Sequence, residues 1–270
     1  MGKKSILDKF YTKKSVAEYC YTELKRSISL GDYDLLIEPS AGSGNFLSLF
    51  PENKRLGIDL LPEGKDIKEG NWFEYEVPIA FKKVAVIGNP PFGERNKLSK
   101  DFIKHGLKYN NVFTIAFVLP NVFKKYTNQS MLPKNWAIKD IIELPKNSFI
   151  LNNKDYHVPC SFFIFTKEPV EKDLRFNVEK YKTHSDFELV KKEEADFFIL
   201  GASLSTVKKI EEVNKNNRGY YIKSNINKEE LIERFKNTNW KKYQNSSANG
   251  GVAWFSRLEL IRAYSLEFDN

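Results

Sequence analysis

Through the first 168 residues, short apolar runs alternate with segments in which apolar residues recur every three or four positions. The runs are Leu35–Glu38, Arg55–Asp59, Val84–Gly88, Val112–Leu119, Ile138–Leu144 and Ser161–Thr166. Several are continuously apolar and bounded by Gly, Pro or Asn, the pattern of strands covered on both faces of a mostly parallel sheet. Ahead of the first run, Ser15–Ile28 predicts a helix: Val16, Tyr19, Cys20, Glu23 and Leu24 outline one face, and Ser15 and Glu18 stand at capping-box spacing. The expected class is therefore α/β. Beyond Pro169 the rhythm is lost in short mixed segments rich in Lys, Asn and Glu. Helices are expected there over Leu204–Asn214 and Lys228–Lys236, with a turn at Gly250-Gly251. The pattern divides the chain into a main domain over 1–168 and a smaller C-terminal region over 169–270, with no internal repeat.

Composition narrows the class. The chain has 270 residues, 41% hydrophobic and 29% charged, which excludes a disordered polymer and supports a buried core. No apolar run approaches the roughly 18 residues that a bilayer span needs, and the start lacks the apolar stretch of a signal peptide. Cys20 and Cys160 are the two cysteines. Their separation, with no Cys or His cluster around either, removes zinc ribbons and disulfide scaffolds, so no metal is expected and a cytoplasmic location is. The net charge is +8. Seven basic residues face two acidic ones within 93–125, a balance compatible with a polyanionic partner.

Three stretches carry chemistry. In Leu35-Leu36-Ile37-Glu38-Pro39-Ser40-Ala41-Gly42-Ser43-Gly44-Asn45-Phe46-Leu47, a buried strand runs into a tight glycine-rich turn and a helix start. Backbone N–H groups there face a ligand at the carboxyl edge of a sheet. Leu47 stands where a dinucleotide fingerprint needs its third glycine, and no Gly-Lys-Ser/Thr follows as in a P-loop. Gly57-Ile58-Asp59 then ends the second strand in a carboxylate, a residue type that accepts both hydroxyls of a ribose. Finally, Val84-Ala85-Val86-Ile87-Gly88 leads into Asn89-Pro90-Pro91-Phe92. Consecutive prolines fix φ and carry no N–H, so this rigid exit leaves the Asn89 amide and neighbouring carbonyls free to meet a ligand.

In these motifs the chain resembles the S-adenosylmethionine-dependent methyltransferases that modify amino or amide nitrogens, above all N6-adenine methyltransferases. Asp8-Lys9-Phe10-Tyr11-Thr12 is also similar to the Phe-Tyr-Thr-Pro element found in one subgroup ahead of the cofactor turn, with Lys13 in place of the proline. The resemblance covers about residues 8–168. It implies a Rossmann-like methyltransferase fold with a seven-stranded mixed sheet, and S-adenosylmethionine as cofactor. It further implies that Tyr11, Thr12, Glu38, Pro39, Ser40, Ala41, Gly42, Gly44, Asn45, Phe46, Asp59, Leu60, Asn71 and Trp72 hold that cofactor. At Gly70-Asn71-Trp72-Phe73 the family commonly has an Asp-Phe pair, and Asn71 would accept from the cofactor's adenine.

The same resemblance makes Asn89, Pro90, Pro91 and Phe92 the catalytic segment. An adenine N6 amine is a poor nucleophile because its lone pair is delocalised into the ring. If the Asn89 side-chain oxygen and the Pro90 carbonyl accept its two hydrogens, the nitrogen is drawn toward tetrahedral geometry by positioning alone. Phe92 would stack on a base flipped out of its helix, with Phe149 or Tyr156 as candidates for a second aromatic wall. A helical projection of Leu98–Lys108 sets Lys100, Lys104 and Lys108 opposite an apolar side, and Arg95, Lys97, Lys124 and Lys125 extend the basic surface toward phosphates. The expected activity is methyl transfer to adenine N6 in DNA. Alternatives are the same chemistry on RNA, a protein-glutamine methyltransferase, or a catalytically silent binding subunit, with residues 169–270 a possible target-recognition region.

Overall fold

The computed structural model describes residues 10–244 and 251–269, so Gly250 of the expected Gly250-Gly251 turn and the Asp8-Lys9 start of the N-terminal motif lie outside the described residues. Contacts divide the chain into two compact units, one reaching Arg175 and the other beginning at Phe176. Among the described residues no helix is long and apolar enough to cross a membrane.

The first unit is built on the expected α/β plan. Its strands are β1 (Tyr11–Thr12), β2 (Leu35–Glu38), β3 (Arg55–Asp59), β4 (Ile67–Glu69), β5 (Val84–Gly88), β6 (Val112–Pro120), β7 (Ala137–Glu143), β8 (Phe149–Leu151), β9 (Lys154–Tyr156) and β10 (Cys160–Thr166). Seven of them form one Rossmann-like sheet in the order β4-β3-β2-β5-β6-β10-β7. Strands β4, β3, β2, β5 and β6 run parallel to one another, while β10 is antiparallel to both β6 and β7. Strand alternation splits the core into two layers. Leu35, Ile37, Val84, Val86, Ile115, Phe117 and Phe163 point to one face, and Leu36, Ala85, Ile87, Ala116, Val118 and Phe162 to the other.

Helix α1 (Lys14–Ser27) buries Val16, Ala17, Cys20 and Leu24 on the second face. It starts one residue before the expected Ser15 cap, and no side chain caps it. Its apolar stripe also takes in Ala17, which leaves Tyr19 exposed. Helix α2 (Lys97–Leu107) covers the opposite face with Phe102 and Ile103, and a single turn, α3 (Tyr126–Gln129), follows β6. Cys20 and Cys160 are both free and buried, and desolvation pushes their thiols far up, which makes them inert packing groups.

The sheet also fixes where a ligand can enter. From β2 the chain steps to β3 and β4 on one side, then crosses back to β5 and β6 on the other. The carboxyl ends of β2 and β5 therefore flank a topological switch point, the crevice where open α/β sheets take ligands. A separate sheet in the order β1-β8-β9 ties the N-terminal segment to the β8–β9 hairpin. After β10 the chain returns to the sheet, where Leu174 donates to the Ile138 carbonyl and Asp173 accepts from the Ile138 amide.

The second unit holds an antiparallel sheet in the order β11 (Phe187–Leu189), β14 (Gly219–Ser224), β12 (Phe197–Leu200), β13 (Ser203–Lys208). Leu231 and Phe235 of α4 (Lys228–Asn237), and Leu260 and Tyr264 of α5 (Arg257–Phe268), pack on Phe187, Phe197, Ile199 and Ile222. Asn227 caps α4, and Ser256 with Glu259 forms a capping box on α5. The helix expected over Leu204–Asn214 is instead β13 followed by a short 3-10 turn at Ile210–Glu212. Strand β12 offers a pairing edge to Ser203–Lys208, and Ser-Thr-Val content suits a strand once that partner exists.

One glycine shows how closely the first unit packs behind the crevice. A Cβ on Gly57 of β3 would lie 2.5 Å from Leu47 Cδ2 and 3.3 Å from Ala41 Cβ, and Leu47 and Ala41 are themselves buried. Gly57→Ala should cost about 1–3 kcal/mol by overpacking. Urea denaturation should show a lower midpoint, and an unchanged midpoint would mean that this wall is loosely packed.

Candidate functional site

Residues from five segments line one cleft at the switch point: Phe10–Thr12, Glu38–Phe46, Asp59–Leu61, Gly70–Phe73 and Asn89–Phe92, with Leu98 and Phe102 of α2 closing one side. Seventeen of the eighteen residues expected in the cofactor and catalytic sets line it, and the exception is Gly44. Gly44 has φ 81° and, with Gly42 at φ 51°, makes the turn itself. The expected helix after that turn is reduced to a 3-10 turn over Leu47–Leu49.

The turn is pinned from three sides. Asp59 Oδ2 accepts from the Gly42 amide and Oδ1 from the Leu61 amide, each at 2.8 Å. One carboxylate thus joins the glycine turn to the loop after β3, and each of its oxygens keeps a lone pair for a further donor. Asn45 Nδ2 donates to the Thr12 carbonyl at 2.8 Å, which holds β1 over the turn. Beneath it, Glu38 Oε2 accepts from the Leu47 amide at 2.7 Å. Glu38 is buried, and desolvation raises its carboxyl well above the ordinary range, with the nearby Asp59 charge adding to the shift.

The catalytic segment is fixed by its backbone. Ser40 Oγ donates to the Asn89 carbonyl at 3.2 Å, Ser99 Oγ to the Pro91 carbonyl at 3.2 Å, and the Ser99 amide to the Phe92 carbonyl at 3.4 Å. Among the described residues no donor reaches the Pro90 carbonyl. Asn89 Nδ2 donates to the Phe10 carbonyl at 3.2 Å, and its Oδ1 is buried with no partner among the described residues. Thr12 Oγ1, on another cleft residue, is likewise buried and unpartnered. Both orphaned atoms thus belong to residues that line the cleft, and a buried polar atom without a partner marks a place that a polar ligand completes.

The aromatic surroundings differ from expectation. Phe149 is fully buried and meets Phe92 edge-on, so it is packing rather than a wall. Tyr156 is 40% exposed and stacks on Phe10, outside the cleft lining. Phe10 itself lies against Phe92, with ring centroids 6.0 Å apart and planes at 30°. Phe10, Leu61 and Phe73 are apolar lining residues absent from the expected set; Leu61 and Phe73 are exposed at the rim. Their signal in the sequence was adjacency, since each neighbours an expected residue. Asn71 lines the cleft, but its Oδ1 accepts from the Phe73 amide and its Nδ2 donates to Glu74, so it caps a turn. Trp72 is buried and donates to the Phe102 carbonyl.

Of the expected basic residues, Arg95, Lys97, Lys104 and Lys108 are exposed, and Lys100 and Lys125 are half-buried. Lys124 is drawn into an ion pair with Glu143. The α2 cations follow directly on the catalytic segment, because Ser99 of that helix holds the Pro91 and Phe92 carbonyls.

The chain matches no known family model and no curated protein. Among solved structures it is similar to a Listeria monocytogenes protein assigned to the class I S-adenosylmethionine-dependent methyltransferases. That match has 16% identity over 63% of this chain and 64% of that one, with TM-score 0.46, so the chain spans under two thirds of the Listeria protein. It is also similar to the 23S rRNA methyltransferase ErmE, at 13% identity over 64% and 75% of the chains with TM-score 0.40. A third likeness is to the M protein of the type I restriction enzyme EcoKI, at 18% identity over 53% and 41% with TM-score 0.36. These are likenesses of chain trace, and function is read from the cleft alone.

The buried Glu38 makes a pH-dependent prediction. Unfolded, it ionises near 4.5; folded, its carboxyl is raised well above that value. Between the two the folded chain holds a proton that the unfolded chain has lost, so this group's contribution to stability falls as pH rises from about 4.5 through the raised folded value. Glu38→Gln keeps an oxygen for the Leu47 amide but cannot ionise. In urea unfolding across that window the variant should gain on wild type as pH rises; parallel curves would contradict a raised Glu38 carboxyl.

Proposed function

We propose that the protein transfers a methyl group from S-adenosylmethionine to the exocyclic N6 amine of adenine in DNA. The observation that carries this reading is the pair of acceptors just after β5, Asn89 Oδ1 and the Pro90 carbonyl, that have no partner among the described residues and belong to cleft residues, as Phe92 does. An aromatic amine carries two hydrogens on one nitrogen, and two adjacent acceptors match that donor set. Bound in the cleft, S-adenosylmethionine would supply an electrophilic methyl group. Asp59 would take ribose hydroxyls on its remaining lone pairs, and Thr12 Oγ1 would find a polar partner there. The fit is supported by the two orphaned atoms and the open carboxylate lone pairs.

Asn89 Oδ1 and the Pro90 carbonyl would then orient the amine, and Phe92 would stack on the ring of an extruded base. Adenine in RNA presents the same amine and would use the same acceptors. The exposed cations of α2 favour a polyanionic substrate over a protein one.

Asn89→Ala keeps β5 and both prolines but removes one acceptor. Labelled methyl transfer to DNA should slow by roughly a hundredfold or more, the scale of losing one pre-organised polar contact in a transition state. Transfer at near wild-type speed would remove the amine-acceptor role.

The phosphate role of α2 has its own test. Changing Lys100, Lys104 and Lys108 together to Gln should leave the fold and S-adenosylmethionine affinity intact and weaken duplex binding. The slope of log K against log salt should shrink by roughly 2.7, at about 0.9 per phosphate contact. A slope equal to that of wild type would make the lysines a solvated face.

A further inference from the structure

Phe10 reaches the catalytic segment twice, through its backbone and through its ring. Its carbonyl accepts from Asn89 Nδ2 at 3.2 Å, which turns Oδ1 away from it. Its ring is nearly parallel to two others, Phe92 at 6.0 Å and Tyr156 at 5.0 Å, with interplanar angles of 30° and 17°. Phe10 lines the cleft and Tyr156, on the other side of that stacked pair of rings, does not.

That ring lies where a base stacked on this side of Phe92 would go. A planar base held between two rings needs about 7–8 Å from ring to ring, two van der Waals contacts of about 3.5–4.0 Å. The 6.0 Å between Phe10 and Phe92 leaves no such layer. Resting on the adenine reading above, we infer that the Phe10 ring is a placeholder for the substrate base, which enters by displacing it from its layer against Phe92 and Tyr156.

The segment is built for such a movement. Among the described residues strand pairing begins one residue later, with Tyr11 opposite Ile150, so Phe10 lies outside that ladder. Its ring can leave by rotation about its own side-chain torsions while the carbonyl stays on Asn89. The acceptor geometry is thus kept through base entry. The ring keeps the face of Phe92 covered until a base arrives.

Phe10→Ala removes the ring and keeps the carbonyl, and Phe10→Trp puts a larger ring in the same layer. The probe is single-stranded oligodeoxyadenylate carrying one 2-aminopurine, titrated with S-adenosylhomocysteine present, and binding is read by anisotropy and by 2-aminopurine fluorescence. Urea midpoints and S-adenosylmethionine affinity check that each variant is folded. A displaced ring predicts that Phe10→Ala binds roughly tenfold tighter, the size of the aromatic contacts no longer broken, and that Phe10→Trp binds more weakly than wild type. If Phe10 were a fixed wall that stacks on the base, the order of the two variants would reverse. Equal affinity in all three proteins would make the ring core packing; either result overturns the inference. Wild type that labels adenine while Phe10→Ala fails to tighten would overturn this inference alone. Wild type that neither binds nor labels any polynucleotide would overturn the adenine reading and this inference with it.

Discussion

The Asn89 side chain carries a donor and an acceptor at opposite ends of one planar amide, and the Phe10 carbonyl beside it can only accept. That asymmetry decides which way the amide faces: Nδ2 goes to Phe10, and Oδ1 is left buried without a partner among the described residues. An unsatisfied buried acceptor costs free energy, so the fold holds it there at the expense of its own stability. The prolines that follow cannot donate, and Ser40 and Ser99 occupy the Asn89, Pro91 and Phe92 carbonyls. Of the four carbonyls in this segment, that of Pro90 alone accepts no hydrogen bond among the described residues. The proposed chemistry depends on this selective pairing.

The rest of the cleft is arranged around the same principle of shared anchors. Asp59 is both a strap for the glycine turn and the carboxylate expected to meet a ribose. Ser40 belongs to the glycine turn yet holds the catalytic segment. Asn45 of the turn holds Thr12, two residues from the Phe10 carbonyl that orients Asn89. Disturbance of the turn therefore reaches the acceptor pair through two short routes, one through Ser40 and one through β1.

Much of this was legible in the sequence because its signals were local. Continuous apolar runs between Gly, Pro and Asn gave the ends of the buried strands to within about one residue, since a strand covered on both faces has no other pattern. Strand β4 escaped notice: Ile67-Lys68-Glu69 holds one apolar side chain and becomes a strand only because β3 offers an edge. The Leu204–Asn214 segment went the other way for the same reason, its apolar spacing overruled by pairing with β12. In the cleft, the residues that carry a motif's chemistry were legible, while their neighbours Phe10, Leu61 and Phe73, and Leu98 and Phe102 brought in by α2, were not. Phe10 stacks on Tyr156, and Phe149 is buried, through pairing between β1, β8 and β9 that no local pattern records.

Action of the cleft on an adenine amine is tested most directly by the nature of the methylated product. Wild-type protein given labelled S-adenosylmethionine with DNA, RNA and protein side by side, followed by nuclease digestion and separation of nucleosides, should place the label on N6-methyldeoxyadenosine. Label on glutamine in the protein fraction, or on no acceptor at all, would contradict it.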